Sequence, residues 1–247
     1  MPDRVLLCIG TKKGVFVAEA AKTRRRFALR GPFGPGVAVY AALLDTRGAP
    51  RVYASSCNPF FGMKILRSTD LGKSFKETKA APAFPKDDGR AVANIWSLEA
   101  GAGKKDLWCG VEPASLFRSS DGGDSWKLVA GLSNHPHARK WLPGNGGLCL
   151  HTILRDGNRV HVGISTGGHY LSEDGGGKWK KLTKGLPKKE SFFTIQRDAM
   201  DIDELRSPAL YFGTTTGQLW IGRDGGEDWS CLFDALPPVH CVKVAVV

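Results

Sequence analysis

The sequence has no long apolar run. No stretch approaches the roughly eighteen consecutive apolar residues that a membrane helix needs. The apolar part of residues 1–10 is too short for a secretory signal peptide, and no small-residue cleavage site follows it. We therefore expect a cytoplasmic protein with no membrane partner.

CxxC pairs are absent, although the chain has six cysteines. Their spacing fits no usual zinc-binding pattern, so we expect neither a metal nor another cofactor. Four of the six lie in apolar runs, which predicts buried free thiols: Cys8, Cys109, Cys149 and Cys241.

Acidic residues are the scarcer charged class, with 24 against 35 basic residues and a net charge of +11. Such a balance can attract nucleic acid, acidic polysaccharide or a phosphorylated partner. The basic residues are scattered, and the densest cluster, residues 22–26, falls on a predicted outer strand where a solvated face explains it. We expect no nucleic-acid partner, while an acidic protein remains an alternative.

Four eight-residue segments repeat along the chain. They begin at Ser68, Ser119, Ser172 and Gly222 and read STDLGKSF, SSDGGDSW, SEDGGGKW and GRDGGEDW. Upstream of each lies a strand, a loop of small residues and a second strand. Residues 6–17 repeat the same strand–loop–strand unit without the motif, which makes five units.

Five units of about fifty residues predict an all-β fold, a five-bladed β-propeller in one domain, 1–247. The blades span approximately 1–36 plus 239–247, 37–82, 92–133, 147–187 and 191–236. Residues 37–44, 95–99, 148–154 and 192–197 are the predicted first strands of blades two to five. Blade one lacks a first strand, so we expect the C-terminal strand, residues 239–247, to close it by pairing with the N-terminal strand.

The four segments follow the S-x-D-x-G-x-S/T-W pattern, and the chain resembles the BNR/Asp-box repeat proteins of the sialidase-like β-propeller superfamily, in particular the bacterial WD40/YVTN/BNR-like repeat group. In this pattern the aspartate accepts backbone N–H groups of a turn and the tryptophan packs back between blades. The motifs are therefore structural and lie on the face opposite the ligand site. Their residues are Asp70, Asp121, Asp174, Asp224, Trp126, Trp179 and Trp229.

Candidate site residues lie in loops on the other face, where the central pore of a propeller opens. Several of them could bind a ligand: His151, His135, His137, Trp141, Arg139, His169 and Phe60. The three histidines 135, 137 and 151 could also form a metal or anion site, and the aromatic side chains could be a sugar platform or could pack loops onto the barrel. Ordinary hydrogen-bonded loop histidines remain the alternative.

A sialidase-like activity would need an arginine triad and a tyrosine nucleophile, and an ordinary glycosidase a carboxylate pair. Only Arg90 and Arg139 can be placed on that face. The carboxylates there, Asp87, Asp88, Glu112 and Glu190, form no recognisable pair. We therefore expect a monomeric, non-catalytic binding or scaffold propeller whose ligand is a small molecule, a carbohydrate or an acidic protein. The alternative is a glycoside hydrolase or lyase that acts on a carbohydrate at the pore and uses Glu112 or Asp88 with His151.

Overall fold

The computed structural model describes residues 4–21, 25–144, 146–189, 193–197, 199–203, 205–236, 238–242 and 244. These residues form five antiparallel sheets, four of four strands and one of three. The chain divides into two compact units, Met1–Val129 and Ala130–Val247.

The first unit contains three sheets. The three-stranded sheet consists of β1 (Arg4–Thr11), β2 (Gly14–Ala21) and β3 (Ala28–Phe33). The second consists of β4 (Ala42–Asp45), β5 (Arg51–Asn58), β6 (Gly62–Ser68) and β7 (Lys76–Glu77). The third consists of β8 (Asn94–Ala100), β9 (Leu107–Glu112), β10 (Ser115–Ser119) and β11 (Lys127–Leu128).

The second unit contains two sheets and its short helices. Its sheets are β12 (Leu150–Asp156), β13 (Arg159–Ile164), β14 (Gly168–Ser172) and β15 (Lys180–Lys181), then β16 (Met200–Ile202), β17 (Leu210–Gly213), β18 (Leu219–Gly222) and β19 (Asp228–Phe233). The helical segments are α1 (Ala130–Ser133), a 3₁₀ turn (Ala138–Lys140) and α2 (Arg223–Gly226). Asp224 in α2 has φ 52°, so α2 is a tight turn and not a regular helix.

The middle strands carry the core because both of their faces are covered. In β9, every residue from Leu107 to Val111 is buried, which explains why this strand reads as one apolar run. Side chains of β5, β8 and β9 pack into one cluster that includes Tyr53, Ile95 and Cys109. In the second unit, Phe212, Trp220 and Trp229 form the corresponding cluster. Burial of these side chains supplies the main stabilisation of each sheet.

The predicted middle strands are confirmed, whereas one predicted first strand is wrong. The described part of residues 192–197 is irregular, and the first strand of the last sheet is β16, where Met200 is buried opposite Phe212. Phe193 and Ile195 still pack against that sheet's core. Their apolar character therefore reflects packing of a loop, which local pattern cannot distinguish from a strand.

Val239 and Val244 of the C-terminal segment bind the last sheet or the loop that follows β17. The Val239 N–H donates to the Thr214 carbonyl at 2.9 Å, and the Val244 N–H donates to Asp201 Oδ2 at 3.0 Å. The Cys241 thiol is exposed because this segment lies on the surface, so the prediction that it is buried is wrong. Cys109 and Cys149 are buried, Cys8 is half-buried, and all six thiols are free. Residues 243 and 245–247 lie outside the described residues.

Among the described residues, no helix has the length and apolar character required to cross a membrane.

Candidate functional site

Three of the four repeated motifs form the same hydrogen-bonded turn. In the second, Ser119 Oγ donates to Asp121 Oδ1 at 2.8 Å, and the same Oγ accepts the Gly123 N–H. Asp121 also accepts the backbone N–H and the hydroxyl of Ser125. These donors hold the pKa of Asp121 at about 2, with the Ser125 hydroxyl as the largest cause. Asp70 and Asp174 accept equivalent bonds in their own turns.

The fourth motif departs from this arrangement. Gly222 stands where the other turns have serine, so no hydroxyl bridges the turn. Asp224 instead adopts a positive φ and accepts a weak bond from Ser207 Oγ at 3.4 Å. Asp224 is therefore part of a turn but does not accept backbone N–H groups in the described structure, in contrast to its predicted role.

The motif tryptophans pack inward. Trp179 and Trp229 are buried and Trp126 is half-buried. The indole N–H groups of Trp126 and Trp179 donate to the carbonyls of Gly123 and Gly176 within their own turns. Each of these turns joins the third and fourth strands of its sheet, at the end opposite the turn between the second and third strands.

The first strands of three sheets contain one extra residue at the same position. In β8, Ile95 pairs with Val111 and Ser97 with Gly110, which leaves Trp96 as the bulge residue. His151 holds this position in β12. Just before β4, Ala38 pairs with Cys57 and Ala42 pairs with Ala54. Three residues (39–41) therefore lie opposite two (55–56), and Tyr40 is the middle one of the three. A bulge changes the direction of the side chain at the extra residue, so the orientation of the Tyr40, Trp96 and His151 rings has the same structural cause.

Four residues of the first unit form what we call the Glu112 cluster: Tyr40, Asn94, Trp96 and Glu112. Glu112 Oε2 accepts the Asn94 amide at 3.1 Å and the Trp96 indole N–H at 3.0 Å. The Tyr40 and Trp96 rings are in contact, with centroids 4.6 Å apart and planes at 41°. Tyr40 is 42% exposed. The cluster therefore presents an accessible aromatic surface with a carboxylate fixed at its edge.

Hydrogen bonds to the backbone fix the positions of Tyr40 and Glu112. Ser55 Oγ accepts the N–H groups of Tyr40 and Ala41, each at 3.0 Å. Asn94 and Glu112 are direct partners in the β8–β9 ladder. Because two ladder partners and two bulge residues converge, the geometry of the cluster depends on strand register and not on flexible loops.

Asp88 is bound to Arg90 and is not available as a free carboxylate. Arg90 Nε and Nη2 donate to its two oxygens at 2.5 Å and 2.8 Å. This hydrogen-bonded guanidinium holds the pKa of Asp88 below its ordinary value. Arg90 also reaches Ser115 Oγ at 3.3 Å and lies over the Phe84 ring. The pair therefore ties the loop before β8 to the β9–β10 hairpin.

Phe60 is at the tip of the β5–β6 hairpin and is 90% exposed, and Phe61 is 79% exposed. Their backbone N–H groups donate to Asn58 Oδ1. Neither ring covers the core, so packing of this loop does not depend on them.

The loop before β12 packs onto Tyr170 through three predicted site residues. Trp141 is buried and its indole N–H donates to the Tyr170 hydroxyl at 2.9 Å. His137 Nδ1 lies 3.2 Å from the same hydroxyl, and the His135 ring contacts the Tyr170 ring edge-on. Burial, with the adjacent His137, lowers the pKa of His135. These side chains mainly anchor the loop.

The remaining predicted ligand-binding residues are His151, Arg139 and His169. His151 Nδ1 is 2.8 Å from the Thr152 hydroxyl, and Arg139 is exposed in the 3₁₀ turn. His169, also predicted as a ligand-binding residue, is buried against His161 in the described structure. Within the described residues, no group of three or more His, Cys, Asp or Glu side chains could hold a metal ion. Glu190 lies outside the described residues.

Sequence reasoning missed Tyr40, Asn94 and Trp96. Each precedes or occupies a first strand that was identified, but the one-residue bulge changes the face to which its side chain points. An alignment of the first strands of the repeats could have found this position. A ring-bearing side chain recurs there, two residues after positions 38, 94 and 149: Tyr40, Trp96 and His151.

Solved structures with a similar fold cover nearly the whole chain. A GH74 xyloglucanase from Xanthomonas campestris is 19% identical, with a TM-score of 0.64 over 93% of this chain and 36% of that one. YCF48 from Cyanidioschyzon merolae is 14% identical, with a TM-score of 0.52 over 94% of this chain and 72% of that one. The computationally designed protein Ika8 is 12% identical, with a TM-score of 0.54 over 99% and 63%.

The fold is that of a β-propeller. At these identities the likeness establishes the fold alone, because propellers support many functions. The chain spans between 31% and 38% of the length of the GH74 enzymes it resembles. No protein-family model and no curated protein matches it.

Proposed function

We propose that this chain is a non-catalytic binding propeller of the Asp-box repeat type, with the Glu112 cluster as its ligand site. The observation that carries the proposal is that both candidate catalytic carboxylates are engaged by the protein. Asp88 is held by Arg90, and Oε2 of Glu112 is held by Asn94 and Trp96. What remains accessible is the aromatic surface beside Glu112.

A glycosidase places different demands on its carboxylates. It needs two of them about 5–10 Å apart, and the general acid must have a raised pKa. Arg90 shifts the pKa of Asp88 in the opposite direction. His151, the third catalytic candidate, is bonded to its neighbour Thr152.

Incubation with a panel of neutral and acidic glycosides tests the proposal. We expect no turnover above the buffer rate for the wild-type chain or for Glu112→Gln and Asp88→Asn. Turnover by the wild type that either substitution abolishes would overturn the non-catalytic function. Turnover that survives both substitutions, and also Lys76→Gln on the exposed strand β7, would indicate a contaminating activity.

A glycoside hydrolase is the second candidate function, and its support is the likeness to GH74 structures, one of them a xyloglucanase. In that case Glu112 would be the carboxylate beside the aromatic surface. YCF48, which is among the similar structures, has been solved bound to a D1 peptide. This second likeness supports binding without catalysis.

For the architecture, we propose one five-bladed ring that is closed by the C-terminal segment. The support is that the β1–β3 sheet has three described strands where each other sheet has four. Removal of residues 239–247 should then lower the cooperativity of unfolding and promote aggregation. A truncated chain that stays monomeric and equally stable would contradict closure.

A further inference from the structure

We propose that Tyr40, Trp96 and Glu112 form a binding site for a neutral oligosaccharide, in which one pyranose ring lies on the two aromatic rings and a hydroxyl donates to Glu112. This inference rests on the binding function proposed above and names its ligand class.

The two rings form a surface and not a cleft. Their centroids are 4.6 Å apart and their planes are inclined at 41°, so they touch and leave no room between them. Tyr40 is 42% exposed. A ligand must therefore lie across the exposed faces. The C–H groups of a pyranose face suit such a surface, because aromatic faces are apolar and carry partial negative charge.

Glu112 lies at the edge of this surface. The Trp96 N–H points in the plane of the indole ring and donates to Glu112 Oε2 at 3.0 Å, so the carboxylate is beside the ring and not over it. Asn94 donates to the same oxygen. Among the described residues, Oε1 has no hydrogen-bond partner. A sugar on the indole face would direct its ring hydroxyls outward, towards this acceptor.

Cationic and anionic ligands fit the cluster less well. A cation binds over an aromatic face or between separated rings, but these rings are in contact, and a net charge of +11 repels a cation at long range. An acidic sugar would bring its carboxylate towards Glu112. A neutral sugar can use both the aromatic surface and the free acceptor without either conflict.

Fixed support makes the site selective for shape. Ser55 holds the Tyr40 backbone, and the ladder pair Asn94–Glu112 holds the carboxylate, so little ordering is required when a ligand binds. Arg90 and Asp88 neutralise each other nearby in sequence, which leaves Glu112 as the charged acceptor of the cluster.

The test is calorimetric titration of the full chain with neutral hexasaccharides (cello-, xylo- and manno-hexaose). We expect at least one to bind. Tyr40→Ala and Trp96→Ala should each weaken that binding by about tenfold or more. Phe27→Ala removes an aromatic side chain of similar exposure (43%) that is not part of the cluster and should leave the affinity unchanged.

Glu112→Gln keeps the shape of the side chain but removes one of its two hydrogen-bond acceptors. The glutamine carbonyl must take the Oε2 position because Asn94 and Trp96 are both donors, which places NH₂ where Oε1 was. We expect about fivefold weaker binding with little change in thermal stability. Because Trp96 is half-buried, its variant is compared only when its unfolding midpoint is close to wild type. Tyr40→Ala is the variant that decides.

Three outcomes overturn the inference: none of the hexasaccharides binds at millimolar concentration, the affinity is insensitive to Tyr40→Ala, or a trimethyl-lysine peptide binds through Tyr40 and Trp96 instead. Binding of that peptide would leave the non-catalytic function standing. Hydrolysis of a bound hexasaccharide would overturn the non-catalytic function and leave the sugar site standing.

Discussion

The buried histidine pair of the second unit should make stability fall between pH 6.5 and pH 4. His161 Nδ1 and His169 Nε2 are 3.0 Å apart, and the rings are stacked. Their outer nitrogens have no partner among the described residues. Burial, with the nearby positive charge of Arg159, lowers the pKa of His161 from 6.5 to about 4. Burial also lowers the pKa of His169.

The sign follows from which state binds more protons. Between pH 6.5 and 4 the unfolded chain has protonated histidines while the folded pair stays neutral, so unfolding takes up protons and becomes easier. The free energy of unfolding has its full value above pH 6.5, where the histidines are neutral in both states, and it decreases as the pH falls towards the pKa of the folded pair. For His161 alone, the difference between 6.5 and about 4 corresponds to about 3 kcal/mol. Protonation of the carboxylates with lowered pKa acts at lower pH.

The assay is urea unfolding at pH 7, 6, 5 and 4 for the wild type and for the variant His161→Phe/His169→Leu. Leucine occupies the position equivalent to His169 in the next sheet, Leu219. The wild type should lose about 3 kcal/mol more than the variant over this range. His240→Gln changes an exposed histidine and should follow the wild type. Equal pH dependence in wild type and double variant would refute the reasoning.

Two further predictions concern hydrogen bonds. Asp121→Asn should destabilise the chain by about 1 kcal/mol, because Ser125 loses a charged acceptor. Asp224→Asn should change the free energy of unfolding by no more than about 0.5 kcal/mol, since asparagine also tolerates a positive φ. Equal effects of the two substitutions in thermal unfolding would contradict the difference between the two turns. Tyr170→Phe should cost about 1–3 kcal/mol, because the buried indole N–H of Trp141 loses its acceptor, and fluorescence of the variant should report a changed tryptophan environment. An unchanged unfolding midpoint would show that the loop is anchored by other contacts.

Much of the fold could be predicted because the repeat pattern specifies short-range structure. The strands on either side of Glu112–Ser115 follow from apolar runs and small turn residues, and β9 and β10 occur where they were expected. The motif turns follow similarly, because Ser119, Asp121 and Ser125 are within six residues of each other and close their own hydrogen bonds. Such turns depend on residues a few positions apart, so they can be recognised from the sequence.

Where a contact is distant in sequence, prediction was weaker. His169 was predicted as a ligand-binding residue of a loop, and pairing of β13 with β14 puts its ring on His161 inside the unit. Residues 192–197 look like a strand, yet β16 begins at Met200, which pairs with the buried Phe212 of β17. In both cases burial was decided by the neighbouring strand and not by the residue's own pattern.

The sequence by itself determined the repeated unit, the strand order within it and the motif turns, since each depends on residues a few positions apart. The Glu112 cluster was decided only by tertiary structure. Its members at 40, 94, 96 and 112 are brought together by one-residue bulges and by the register of β8 on β9. A shift of one residue reverses the face of every side chain in a strand. The same composition could therefore fold into the same sheets without assembling this site.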